Sequence, residues 1–247
     1  YIHFSYWILL AMSPEVFLNN LTEVRGRIER ACDASNRASK EVALLPVTKA
    51  WPSEAARLAF SAGFCSVGEN RVMEALEKME EVTEEGNWEL IGHLQSNKAK
   101  FIPNRFSRVQ SVDSEKLLRR LDVAAAHANC CLRVLLQVNA GKDPAKFGVF
   151  PEETDGFLEA ALSCSNLKVE GFMTIAPFAP EDPTIARSCF ESLRELRDRL
   201  VVSFEVELPE LSMGMSGDME EAIRAGSTLV RVGSALFGER SQRNSSI

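Results

Sequence analysis

Lys49 ends the apolar run Val42-Ala43-Leu44-Leu45-Pro46-Val47-Thr48-Lys49. The run is short, and it is bounded by Lys40-Glu41 and by Trp51-Pro52, so it reads as a buried strand. A lysine at the end of such a strand sits at the edge of a core. Desolvation there disfavours the charged amine and leaves more of it as a neutral nucleophile, suited to forming an imine with an aldehyde. On position alone the alternative is better: a stem packed on the core edge with its head in water. Two further segments weigh against that alternative. Ser212-Met213-Gly214-Met215-Ser216 and Gly233-Ser234-Ala235-Leu236 offer hydroxyls and closely approachable backbone, each ahead of a helical stretch. Such loops suit an anion, although Gly and Ser are also ordinary turn residues.

These groups need elements to position them. The chain alternates short apolar runs with amphipathic stretches. Helical spacing runs from Val16 to Ser39 through Val16, Leu18, Leu21, Val24 and Ile28. Strands are expected at the Lys49 run, Phe64–Gly68, Trp88–Gly92, Arg108–Asp113, Leu132–Asn139, Val169–Thr174, Leu208–Met213 and Thr228–Gly233. Helices are expected at about Ser53–Ala62, Asn70–Glu85, Ser96–Phe101, Asp113–His127, Pro151–Ser163, Pro183–Leu200 and Asp218–Ala225. Strict alternation implies parallel strands with right-handed crossovers. Eight such units in 247 residues favour a closed (β/α)8 barrel over an open sheet. In such a barrel the C-terminal strand ends carry the chemistry. There lie Lys49, Gly68-Glu69-Asn70, Gly92-His93, Asp113, Asn139, Thr174, Ser212–Ser216 and Arg231–Ser234, with polar ends on apolar strand bodies.

Composition narrows the function class. Hydrophobic residues make up 45%, enough for a large core. A net charge of −7 argues against a general nucleic-acid binder, which carries a basic face. The six cysteines show no CxxC pair and no zinc spacing, so most are expected to be reduced core residues of a cytoplasmic protein. Cys130-Cys131 is expected in the core, and His127 in an Ala-rich helix is expected to be structural or exposed. Residues 1–11 are apolar but too short to span a bilayer, and no Lys or Arg precedes Arg25, so they are read as an extension rather than a secretory signal or membrane anchor. Residues 241–247 are read as a flexible polar tail. Between these ends, residues 12–240 are expected to form one domain.

The ordered segments Leu45-Pro46-Val47-Thr48-Lys49, Gly68-Glu69-Asn70, Ile91–Lys98, Ser111-Val112-Asp113-Ser114, Leu211–Asp218 and Gly226–Gly233 resemble the pyridoxal phosphate homeostasis protein family. The resemblance spans about Met12 to Arg240. It implies a single (β/α)8 TIM-type barrel like the N-terminal domain of alanine racemase (PLP fold type III), without the C-terminal β domain. It implies pyridoxal 5′-phosphate (PLP) as cofactor, with Lys49 matching the lysine of the internal aldimine. Ser216, Gly233 and Ser234 match phosphate-contacting positions, with Ser212 as a neighbour. Arg231 matches the arginine facing the pyridine nitrogen, Asn70 and His93 fall in pocket segments, and Met213 lines the ring. Two departures are mild: Lys146-Phe147-Gly148-Val149 in the fifth loop, and Ser234 where threonine is usual.

Two kinds of PLP-dependent function, and a third without the cofactor, fit these residues. One is a PLP-buffering or delivery factor, a monomer serving PLP-requiring apo-enzymes, with no nucleic-acid or membrane partner. The other is a PLP enzyme of the racemase kind, which needs a base on each face of the bound substrate. Lys49 could serve one face. The alanine racemase type brings a tyrosine as second base from a second domain and another subunit, and the tyrosines here are Tyr1 and Tyr6, in the extension. A guanidinium at Arg231 would also leave the ring a weak electron sink, unless Arg231 instead pairs structurally with a carboxylate such as Glu69. His93 could act as an acid or base, or be a satisfied core or capping residue. A cofactor-free Schiff-base aldolase acting on a sugar phosphate would use the same lysine and loops.

Overall fold

The computed structural model describes residues 13–238. The extension, the tail, Tyr1 and Tyr6 therefore lie outside the described residues. Eight strands form one parallel sheet: β1 (Ala43–Pro46), β2 (Ser66–Glu69), β3 (Asn87–Leu90), β4 (Arg108–Val112), β5 (Leu132–Gln137), β6 (Leu167–Met173), β7 (Glu210–Ser212) and β8 (Leu229–Val232). The sheet order runs β1-β8-β7-β6-β5-β4-β3-β2. A parallel bridge from Val47 to Gly68 joins its two ends and closes the barrel. The helices α1 (Pro14–Asp33), α2 (Ser53–Ser61), α3 (Val72–Glu81), α4 (Glu115–His127), α5 (Thr154–Leu162), α6 (Pro183–Phe204), α7 (Met219–Arg224) and α8 (Ser234–Phe237) alternate with the strands. A 3-10 helix, Ser96–Phe101, fills the third position.

The boundaries differ from the sequence pattern where capping or packing overrides it. α1 starts at Pro14, with the Ser13 hydroxyl accepting from the Val16 N–H, and it stops at Asp33 rather than Ser39. Its buried stripe is Phe17, Leu21, Val24 and Ile28, spaced by three or four residues. Val16 and Leu18, expected on that stripe, are exposed. One core lies between the sheet and helices α2 to α7 and includes Trp88, Leu118, Phe157, Phe172 and Phe190. A second joins α1 to β8, α7 and α8 through Phe17, Val230, Ile223 and a stacked Phe17–Phe237 pair. Cys32 and Cys189 are buried as expected, but Cys65 and Cys131 are exposed, because each lies at or before a strand's N-terminal start. His127 ends α4 and is exposed.

The strand bodies are not uniformly apolar. Alternate residues face the barrel interior, and there Glu89, Arg108, Gln110, Glu170, Ser212 and Arg231 are all buried. Arg108 donates to both Glu89 oxygens at 2.7 and 3.1 Å, and also meets Glu170 and Glu210. Burial lowers the Arg108 pKa, but the charges of Glu89, Glu210 and Glu170 outweigh that and hold it above its ordinary value. Burial pushes the Glu170 carboxyl up, while the Arg133 hydrogen bond and charge, with Arg108 and Lys168, bring it below the usual carboxylate range.

Among the described residues no helix is long and apolar enough to cross a membrane, and no cluster of His, Cys, Asp or Glu could hold a metal ion.

Candidate functional site

Because every strand is parallel, Lys49, Asn70, His93, Asp113, Asn139, Thr174, Ser212 and Arg231 stand at one end of the barrel. Lys49 is half-buried in the turn that leaves β1. The strand before it is tied on both sides: the Val47 N–H donates to Val232 O, and the Thr48 N–H to Gly68 O. The turn closes through the Trp51 N–H to Thr48 O. Ala50 takes φ +58°, a left-handed conformation that a residue with a Cβ rarely adopts.

Helix α3 reaches this turn with charged groups. Lys78 Nζ donates to Thr48 O (2.9 Å), Glu69 Oε1 (2.6 Å) and Glu74 Oε1 (2.9 Å). Glu74 Oε1 also accepts the Ala50 N–H at 2.7 Å. The Thr48 hydroxyl donates to Glu69 Oε1 at 2.6 Å, and Glu69 Oε2 is buried with no hydrogen-bond partner. Burial raises the Glu69 carboxyl pKa, only partly countered by Lys78 and Thr48. Glu69 thus pairs with Lys78 and not with Arg231. The sequence pattern marked α3 only as a charged amphipathic helix. Lys78 follows buried Ala75 by three residues, so a charge inside the apolar stripe was the available signal.

Arg231 is buried and donates through Nη1 to the Ser212 hydroxyl (2.7 Å) and through Nη2 to Thr174 O (2.8 Å). Ser212 donates in turn to Gln110 Oε1 at 2.6 Å, and Gln110 Nε2 donates to Glu89 at 2.6 Å. The direction of this chain is set by Glu89, an acceptor only. It commits the Ser212 proton to Gln110 and turns an oxygen lone pair to Arg231. Burial lowers the Arg231 pKa to about 10, with the Asp218 charge opposing the shift. Arg231 therefore stays cationic at neutral pH. Ser212, expected as a neighbour of the phosphate positions, has its hydroxyl between Arg231 and Gln110. Gln110 escaped the sequence reading, although a polar residue between Val109 and Ser111 in a strand was a visible sign.

The last two loops meet. The Ser216 hydroxyl accepts the Ala235 N–H at 3.3 Å, and Arg27 on α1 donates to Ser216 O and pairs with Glu220. Gly233 lies against β1, where an added Cβ would stand 3.1 Å from Val47 O. Ser234 is exposed at the start of α8. Met213 is fully buried in the core between sheet and helices. Burial raises the Asp218 carboxyl pKa, against the Met215 N–H hydrogen bond and the Arg231 charge.

Gly214 takes φ +94°, and an added Cβ would lie 2.5 Å from Ala222 Cβ. Gly214→Ala is expected to destabilise the protein by about 1–3 kcal/mol through strain and overpacking. Urea unfolding checks this, and an unchanged midpoint would contradict it.

At the opposite side of the mouth, His93 Nδ1 is 2.9 Å from Asp113 Oδ2, and its ring stacks on Phe147 with centroids 3.9 Å apart. His93 is exposed, so it is not a core residue, and its side-chain partner is Asp113 rather than a helix end. Phe147 belongs to the loop after β5, which Asn139 braces through Asp143 and Lys146. Asn70 is half-buried, and its backbone packs so close to Gly92 that a Cβ there would lie 2.3 Å from Asn70 O. Gly92 is thus what lets the second and third loops meet.

A closed barrel of parallel strands, with a lysine at its first strand's exit and a buried arginine on its last, defines a β/α-barrel protein with polar groups gathered at one end. Comparison with known proteins goes further. The family model "Alanine racemase, N-terminal domain" matches residues 22–241. A pyridoxal phosphate homeostasis protein of Aquifex aeolicus is 41% identical over 221 residues, covering 89% of this chain and 96% of that one. PipY of Synechococcus elongatus, solved with PLP bound, superposes with a TM-score of 0.76 at 34% identity, covering 86% of this chain and all of that one. A Bifidobacterium adolescentis protein described as unknown superposes with a TM-score of 0.84 at 32% identity, covering 90% and 95% of the two chains. The chain belongs to the pyridoxal phosphate homeostasis protein family, within the alanine racemase N-terminal domain family.

Proposed function

We propose that this chain serves PLP homeostasis by holding PLP as a Schiff base on Lys49, without catalytic turnover. The observation that carries the proposal is the buried, cationic Arg231 at the barrel mouth. PLP supplies an aldehyde carbon for a lysine and a pyridine ring that can act as an electron sink. The residues fit that group. Lys49 provides the amine from the turn that follows Val47, the neighbour of Gly233. Ser216, Gly233 and Ser234 offer hydroxyl and backbone groups for the phosphate where the last two loops meet. Asn70 and His93 flank the mouth, Ser212 holds Arg231, and Met213 backs the site from the core.

Arg231 also argues against turnover. A guanidinium cannot accept the pyridinium proton, and its charge disfavours protonation of the ring nitrogen beside it. The ring is then a weak sink for electrons from a substrate carbon. Ser212 and Thr174 fix the guanidinium in place, so the effect is built in. Buffering the cofactor and passing it to PLP-requiring apo-enzymes suits such a site. Residues 12–240 acting as one monomeric barrel in the cytoplasm, without nucleic-acid or membrane partners, complete the proposal. The relative named for PLP homeostasis and the PLP-bound PipY support it.

The test is absorption of the purified protein with PLP before and after borohydride reduction, followed by peptide mapping. An imine band that reduction removes, and that maps to Lys49, is expected. A protein that stays colourless with PLP would sink the proposal in favour of the cofactor-free aldolase. One observation favours a second reading, a racemase-like enzyme: His93 at the mouth is oriented by Asp113, as a proton-transfer base would be. Exchange of an amino acid's α-hydrogen in deuterated water would support that reading, and its absence would leave the carrier role.

A further inference from the structure

We propose that Glu74 and Lys78 on α3 are positioning residues that clamp the backbone on both sides of Lys49 and so aim its amine into the site. The proposal rests on Lys49 being the PLP lysine. Lys78 holds the carbonyl of Thr48, the residue before Lys49. Glu74 holds the N–H of Ala50, the residue after it. One glutamate oxygen takes both the Ala50 N–H and the Lys78 ammonium, so the two grips form a single unit. Glu69 anchors that unit from β2, accepting from Lys78 and from the Thr48 side chain.

The clamp has two physical consequences. It supplies a charge-assisted hydrogen bond to each backbone group flanking Lys49, and such bonds are stronger than those between neutral groups. It also gives a reason for the left-handed Ala50, since the Ala50 N–H reaches Glu74 in that conformation (φ +58°). Without Glu74 the turn loses the bond that opposes its intrinsic backbone preference. The Lys49 side chain then starts from a less defined Cα position. A bond-forming amine is sensitive to displacements of this kind. The helix carrying the clamp packs outside the barrel, so it can act on Lys49 without entering the mouth.

The experiment separates aiming from binding. Pyridoxine 5′-phosphate has the ring and phosphate of PLP but an alcohol in place of the aldehyde, so it reads the pocket without the imine. Wild type, Glu74→Gln, Glu74→Ala and Lys78→Met are compared for three quantities: pyridoxine 5′-phosphate affinity, the borohydride-trapped fraction at saturating PLP, and Tm. The imine constant is expected to fall at least ~10-fold in Glu74→Ala. It should fall less in Glu74→Gln, which keeps an oxygen for the Ala50 N–H. Pyridoxine 5′-phosphate affinity should stay within about twofold of wild type if only the lysine is misaimed. The loss should persist from pH 7 to 10. A loss that disappears at high pH would show that Glu74 acts only through the charge state of the amine, and would overturn the proposal. Folded variants with an unchanged imine constant, or a parallel loss of both ligands, would overturn it too. A wild-type protein that forms no imine on Lys49 would overturn the PLP reading itself, before any variant is compared.

Discussion

Lys49→Ala should abolish borohydride-stable PLP incorporation while leaving the fold intact. The fold should survive because Lys49 is half-buried in a turn and belongs to none of the hydrophobic core clusters. Substitutions at such places usually shift stability by no more than about 0.5 kcal/mol. The ligand effect should be far larger. Losing the covalent bond leaves phosphate and ring contacts alone, and apparent PLP affinity should drop at least ~100-fold, or about 2.7 kcal/mol. Absorbance titration with PLP and intact mass after reduction check both parts. If the variant kept its imine band, another lysine would be the anchor, and the clamp on the Lys49 turn would need a different purpose.

Arg108→Met should be the most destabilising single change in the barrel interior. Arg108 satisfies both oxygens of buried Glu89 and lies against Glu170 and Glu210. Removing one partner of a buried ion pair strands the other, at a typical cost of about 3–5 kcal/mol. For a chain of this size that corresponds to a Tm drop of roughly 6–20 °C. The pH dependence has a definite sign. Glu170 lies below the usual carboxylate range when folded, partly through Arg108. A depressed carboxylate contributes stability above its unfolded pKa of about 4.3 and loses it as pH falls through the folded value. The variant lacks part of that contribution, so its deficit should be largest near neutrality and narrow on acidification. Thermal melts of both proteins between pH 4 and pH 8 measure this. A deficit under about 1 kcal/mol would mean that the carboxylates find other partners. The loss should also reach the mouth, because Glu89 holds Gln110, which holds Ser212, which holds Arg231.

The strand and helix series was readable from local pattern, since apolar periodicity and capping act within a few residues. β5 is an example: Leu132–Gln137 matches the apolar run that marks it. The position of Lys49 at a strand exit was readable for the same reason. So were the Gly/Ser loops after β7 and β8. The interior was not. Ser212 and Gln110 are 102 residues apart in the chain, on strands that are not neighbours in the sheet. A pairing of that kind follows from closure of the barrel, which no local pattern encodes.

Sequence by itself determined the β/α order, the single lysine at the first strand's exit, and the family to which its motifs point. Tertiary structure decided which groups hold the turn that carries that lysine. It made Lys78, one charge of an amphipathic helix, a buried grip on Thr48, and it set the Ser212 hydroxyl against Arg231. The physical reason is range. Periodicity and capping are set between residues a few positions apart, whereas the partners of a buried charge are chosen when distant strands close around it and every polar atom left inside must find a bond.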